Sequence, residues 1–258
     1  MRYAATSFNN DHRGDYYVDL LKLALTKSGQ PYELKPAVQH AVGLRTAYLL
    51  TAGDGVNVMW SPTDPTIEKA ALPVRVPLDK GILGLRLFLV NQADSEIFAR
   101  VHVLDDLKAY SAGQAGGWPD TAIMRANGLI VEATPLYENL FKMLAARRFT
   151  YLPRGVGEIW EEVNDHSDLG LAVEPHVALR YPYCSFFFVS KENPSLAHDI
   201  ERGLKRSMKD GSSDALFAHY YGTLVQRSHL DRRLVFDLEN PLLTHGVADE
   251  ENACLFRR

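Results

Sequence analysis

The chain's 258 residues suffice for one large α/β domain or for two lobes of roughly 100–150 residues each. An apolar share of 46% with 23% charged residues is that of an ordered globular protein and excludes a disordered one. The formal net charge of −4 gives no electrostatic drive towards nucleic acid, and no run approaches the roughly 18 apolar residues of a membrane span.

Met1-Arg2 leads straight into an expected first strand over 3–6, as a cytoplasmic chain or one that starts at a mature N-terminus would. Tyr17, Leu20, Leu21 and Ala24 then fall at i, i+3, i+4 and i+7, one face of a helix that Ser28-Gly29 stops. A second strand is expected over 32–36. A helix over 41–52 ends at Gly53, which suits the left-handed position of a helix stop. Strand 56–60, Val-Asn-Val-Met-Trp, ends in Trp60, and a turn with two prolines follows. Within 72–90, Leu85 to Val90 form an apolar strand interrupted by Arg86. A buried arginine needs a partner, so Arg86 either pairs with a carboxylate or faces a cleft.

In the second half, Trp118–Asn127 reads as a helix with Pro119 in its first turn and Gly128 at its end. Strands over 129–133, 149–152 and 169–173 alternate with helices over 135–147 and 156–164. A long apolar strand spans 179–190, and amphipathic helices over 194–208 and 213–225 close the pattern. Alternation of this kind means α/β architecture. The two longest strands, near 84–91 and 179–190, are candidates for connections between two lobes. One lobe would comprise 1–91 plus 187–258, and the other 92–186.

Chemistry-bearing motifs are few. The nine histidines show no His-x-x-x-His or His-Glu-x-x-His spacing for a metal, and neither a nucleophile elbow nor a P-loop is present. His176 and His219 read as surface or core histidines, and Glu161-Glu162 as a solvated helix face. The cysteines, Cys184 and Cys254, can be a disulfide in an oxidising compartment or two free thiols. Binding features are better developed. Gly116-Gly117-Trp118-Pro119 opens a helix after a strand, where unpaired N–H groups and the positive dipole end suit an anion. A tight turn with a proline at its first helical position would look the same. Trp60 and Trp118, one per expected lobe, stand at strand-to-helix junctions and could flank a ligand as apolar plates, although core packing explains either one alone. The strand containing Tyr151 ends in Pro153-Arg154-Gly155, which sets Arg154 at a strand's carboxyl end, beside Glu158 at the start of the next helix.

In element order, the chain resembles the extracellular solute-binding proteins of the amino-acid type, family 3, over nearly its whole length. The helix-Gly-strand unit at 44–60 and the turn at Thr63–Lys69 carry the likeness, together with Asp106-Leu107-Lys108, Ala146-Arg147-Arg148-Phe149 and Pro194-Ser195-Leu196 with its helix up to Asp210-Gly211. The resemblance implies a two-lobed periplasmic-binding-protein-like fold of type II, with two crossing strands and hinge closure over a small molecule. It also implies a periplasmic monomer that uses no cofactor, metal or nucleic acid, with a membrane permease or a sensor kinase as partner. Ligand contacts are then expected from Trp60, Arg86, Gly117, Trp118, Tyr151, Arg154 and Glu158. An enzyme of cyclohexadienyl dehydratase type is the alternative of another class, with Glu158 as its acid or base.

Departures from the family pattern fall in the pocket. Where amino-acid binders carry an arginine for the ligand carboxylate, this chain has Ile67-Glu68-Lys69. Where they carry an aspartate for the ammonium, it has Leu152-Pro153-Arg154. On that reading a zwitterionic amino acid is disfavoured by several kcal/mol in a desolvated site, and an anion or a polar aromatic compound is favoured.

Overall fold

A computed structural model describes residues 1–4, 14–37, 44–53, 55–243 and 252–257. Residues 5 and 6 of the expected first strand and 41–43 of the expected second helix lie outside these. The chain divides into two compact units, Met1–Asp79 with Cys184–Thr223, and Lys80–Tyr183 with Leu224–Arg258.

The first unit is built on a five-stranded sheet. Strands β1 (Arg2–Tyr3), β2 (Lys35–Pro36), β3 (Val58–Pro62), β4 (Leu72–Val74) and β11 (Ser185–Val189) lie in the order β2-β1-β3-β11-β4. β11 is buried along its whole length, as expected of an apolar strand with neighbours on both sides. Helix α1 (Asp15–Ser28) buries the predicted face of Tyr17, Leu20, Leu21 and Ala24, and Gly29 ends it in the left-handed region at φ +82°. Helices α2 (Leu44–Thr51) and α3 (Pro65–Ala70) follow, the latter capped by the Asp64 carboxylate on the amides of Thr66 and Ile67. α7 (Pro194–Lys209) packs along α1 so closely that a Cβ at Gly203 would stand 1.8 Å from the Ala24 carbonyl oxygen. Glycine is what lets these two helices meet.

The second unit has a seven-stranded sheet. It contains β5 (Leu85–Asn91), β6 (Ser111–Ala115), β7 (Ile130–Thr134), β8 (Tyr151–Gly155), β9 (Leu171–Val173), β10 (Val177–Arg180) and β12 (Leu234–Asp237). The order is β12-β10-β5-β8-β6-β7, with β9 also paired to β5. Helices α4 (Pro119–Ala126), α5 (Tyr137–Ala145) and α6 (Ile159–Asp165) follow β6, β7 and β8 respectively. Phe88, Phe98, Leu107, Ile123, Tyr151 and Tyr181 belong to its core cluster.

The borders between units differ from those expected. Strand 85–91 lies wholly in the second unit's sheet, and the chain crosses just before it, between Asp79 and Lys80. The expected long strand over 179–190 is two strands, β10 in one unit and β11 in the other. Pro182 has no N–H to give a ladder, so pairing stops there and the chain crosses at 183–184. A third crossing at 223–224 falls within α8 (Ser212–Arg227) and sends β12 to pair in parallel with β10. Both cysteines, Cys184 and Cys254, are disulfide-bonded. Around the latter, the Tyr183 amide donates to the Cys254 carbonyl at 3.0 Å, and Arg180 Nη1 donates to the Phe256 carbonyl at 3.1 Å.

Candidate functional site

In the second unit the ends of β5, β6 and β8 bring together two buried arginines and three acids. Arg86, the second residue of β5, stands opposite Gly155, the last residue of β8, and Arg154 precedes that glycine. Arg86 Nε lies 2.8 Å from Asp120 Oδ1 in the first turn of α4, and donates to the Tyr181 hydroxyl at 2.7 Å. Tyr181 in turn donates to Asp120. Of the two alternatives open for Arg86, the carboxylate partner is the one observed.

Arg154 presents its fork to Glu162 on α6, with Nε to Oε2 at 2.7 Å and Nη2 to Oε1 at 2.5 Å. Such a bidentate pair is among the stronger polar contacts a protein makes. Tyr137, first residue of α5, donates to the same Glu162 at 2.7 Å. The guanidinium also lies 4.6 Å from the ring centre of Trp118, which caps α4, and 5.6 Å from that of Tyr137. Glu158, at the cap of α6, reaches Arg154 Nη2 with Oε2 at 3.0 Å, accepts from the Gly155 amide at 3.3 Å, and stands 3.9 Å from Arg86 Nη1. Burial works against the charge on both arginines, but the surrounding carboxylates outweigh it and hold their pKa values above the ordinary one.

Four expected residues therefore meet in this cluster: Arg86, Trp118, Arg154 and Glu158. Gly117 adjoins it in sequence, exposed, with nothing within 4 Å of where a Cβ would stand. Trp60 belongs to the first unit, half-buried and stacked on Tyr17 at 5.6 Å. Tyr151 is a correction. It is fully buried in the core, its ring centre 4.4 Å from that of Phe88. Side chains alternate along a strand, so Tyr151 and Arg154, an odd number of residues apart, point to opposite faces of β8.

A second correction concerns charge. Arg154 is not an exposed base awaiting an anion, because Glu162 neutralises it. Glu162, expected in a solvated face, is 6% exposed. The base inferred from Arg154 alone is thus already compensated by a carboxylate of its own unit. Asp120, Tyr137, Glu162 and Tyr181 are the members that sequence reasoning missed. A signal for Glu162 was present, since it stands four residues after Glu158 on a helix that starts beside Arg154.

At the place of the missing family arginine, Ile67 is buried, and Glu68 pairs with Arg75 at 2.5 Å and accepts from the Thr63 hydroxyl. His176 and His219 have ordinary surroundings, the first bonded to Glu96 at 3.0 Å and the second edge-on to Tyr220. Among the described residues no group of three or more acids, histidines and cysteines could hold a metal ion.

The fold is the two-lobed periplasmic-binding-protein-like α/β fold of type II. A periplasmic binding protein of Salmonella typhimurium, described by its high arginine specificity, aligns with 86% of this chain and 98% of its own at a TM-score of 0.57 and 15% identity. An ancestral arginine-binding protein bound to glutamine matches at 0.51 and 20% identity, over 80% of this chain and 87% of that one. A histidine kinase sensor domain with similarity to periplasmic binding proteins matches at 0.51 and 16% identity, over 80% and 86%. Likeness at these identities defines the fold. No family model and no curated protein matches the sequence. Among the described residues no helix is long and apolar enough to cross a membrane.

Proposed function

We propose that the protein captures a small molecule reversibly and delivers it to an uptake transporter of the ABC type, and that the ligand is not a standard amino acid. The observation that carries this reading is the Arg86–Asp120–Glu158–Arg154–Glu162 cluster. It stands at strand ends, where open α/β sheets place ligands, in a fold shared with binding proteins. Buried Ile67 supports the restriction on amino acids, as does the engagement of the neighbouring Arg75 guanidinium by Glu68. The disulfide-bonded state of Cys184 and Cys254 supports an oxidising compartment such as the periplasm.

Sensing is a second reading, supported by the likeness to a histidine kinase sensor domain. Uptake of the ligand in cells lacking the gene separates the two, since a transport component is required for it and a sensor is not. The dehydratase alternative would rest on Glu158, whose carboxylate is engaged by Arg154 and the Gly155 amide. Native mass spectrometry of freshly purified protein tests the main reading. A stoichiometric small molecule, released on denaturation, is expected. A protein that carries none and is stabilised by no compound of a metabolite panel overturns it.

A further inference from the structure

The chain first enters the second unit between Asp79 and Lys80 and leaves it between Tyr183 and Cys184. Within that unit the entering and leaving backbones touch. The Tyr181 amide donates to the Gly84 carbonyl at 3.1 Å, and a Cβ at Gly84 would stand 1.8 Å from the Tyr181 carbonyl oxygen. Only a glycine allows so close an approach.

Residues from near the end of the chain lie over both. The Leu238 amide donates to the Arg180 carbonyl at 2.8 Å, and Asn240 Nδ2 donates to that of Pro182 at 2.9 Å. The Cys254 carbonyl accepts from the Tyr183 amide at 3.0 Å, at the last residue before the chain leaves. The same carbonyl oxygen stands 2.1 Å from where a Cβ at Gly81 would be, and Gly81 holds a φ of +76°. A side chain there would be strained and obstructed at once. One peptide group thus rests on the leaving and the entering backbone together. Beyond it, Phe256 is buried, and its carbonyl accepts from Arg180 Nη1 at 3.1 Å. Cys254 itself is buried and disulfide-bonded.

We propose that residues 252–257 are a strap that stiffens the backbone at these two crossings, and that the disulfide at Cys254 keeps the strap seated. The segment belongs to neither sheet, so a few hydrogen bonds, one buried ring and the covalent link are its hold. Motion of one unit against another bends the chain where it passes between them, and a strap at that place sets how readily the bend occurs. A dithiol reductant releases the strap. Its thiolate attacks the disulfide, two electrons pass to the protein, two protein thiols remain, and the dithiol closes into a disulfide of its own. The noncovalent contacts left behind open locally, at a lower cost than unfolding of the unit. The inference goes beyond the small-molecule reading, and its test needs no ligand.

Hydrogen exchange read by mass spectrometry, on the full chain with and without dithiothreitol, tests the proposal. The peptide covering Tyr183 is the direct reporter, because the acceptor of that amide belongs to the strap. Its exchange should quicken about tenfold or more on reduction, and low urea should leave the new rate unchanged, as for any local opening. Cys254→Ser should exchange at the fast rate with or without reductant. Should that variant not fold, Phe256→Ala, which keeps both cysteines, should show an intermediate rate that reductant still raises. Equal rates in oxidised and reduced protein overturn the strap. So does a rise that grows with urea as it does for β6, because that is unfolding of the whole unit. Redox-dependent exchange in a protein that captures no small molecule keeps the strap and removes the proposed function. Capture with exchange indifferent to reductant does the reverse.

Discussion

Arg86 and Gly155 face each other across β5 and β8, and the guanidinium runs through the volume that any side chain at 155 would fill. An added Cβ would also lie 3.1 Å from Glu158 Oε2, so the glycine fits two members of the cluster at once. Gly155→Ala should therefore destabilise the fold by about 1–3 kcal/mol, the usual range for overpacking a well-filled site. The urea midpoint should fall with an unchanged slope. An unchanged midpoint would show that both side chains move aside freely.

The Arg154–Glu162 pair should behave as a buried unit. Glu162→Ala leaves a buried guanidinium short of its main partner and should cost about 3–5 kcal/mol. Replacing both residues with apolar ones, Arg154→Met with Glu162→Leu, should cost less than either single change. Equilibrium unfolding of all four proteins as a double-mutant cycle measures the coupling. Additive costs would mean that solvent already satisfies the pair.

Free L-amino acids should give no thermal shift. Any ligand that binds the native state alone raises its melting temperature as its concentration exceeds Kd. At 67–69, where amino-acid binders of the resembled family carry an arginine for the ligand carboxylate, Ile67 is buried and its neighbour Glu68 is paired to Arg75. A saturable rise with one of the standard amino acids would overturn the argument.

Reducing the disulfide, or Cys184→Ser with Cys254→Ser, should destabilise by about 4 kcal/mol if loop-closure entropy dominates for a loop of this length. The double variant should be insensitive to reductant. A melting temperature that reductant leaves unchanged in the native sequence would show that the bond is absent in solution.

Lys27 and Asp210 close the ends of α1 and α7 upon each other. The Lys27 ammonium and the Ser212 groups hold the Asp210 carboxyl at a pKa of about 2, below its ordinary value. A depressed carboxylate pKa stabilises at pH values above the unfolded pKa, and that contribution is lost as pH falls through the folded one. Lys27→Ala should thus melt below the native protein at pH 6, and the difference should shrink between about pH 4 and pH 2. A difference independent of pH would assign the effect to packing of the lysine stem.

Helix faces and strand ends were legible because they are local. Tyr17, Leu20, Leu21 and Ala24 repeat with the helical period, and Arg86 stood out as a charge within an apolar strand. Its partner did not stand out, because Asp120 follows a proline on a distant helix and only the sheet brings the two together. Glu161-Glu162 read as a solvated pair, but successive helix residues point about 100° apart, so one faces water while the other meets Arg154. The strand expected over 179–190 failed at Pro182, where a missing N–H outweighs an apolar run.

The third crossing at 223–224 bears on how the molecule comes to be folded. The unit that begins at Lys80 acquires its edge strand only with β12. The other unit lacks its interior strand β11 and helix α7 until the chain has passed through the unit that begins at Lys80 and back. A growing polypeptide therefore holds no finished unit until nearly all of it has been made. Tertiary burial in either unit is thus a late event, set by the chain's own threading and not by the order of its strands along the sequence.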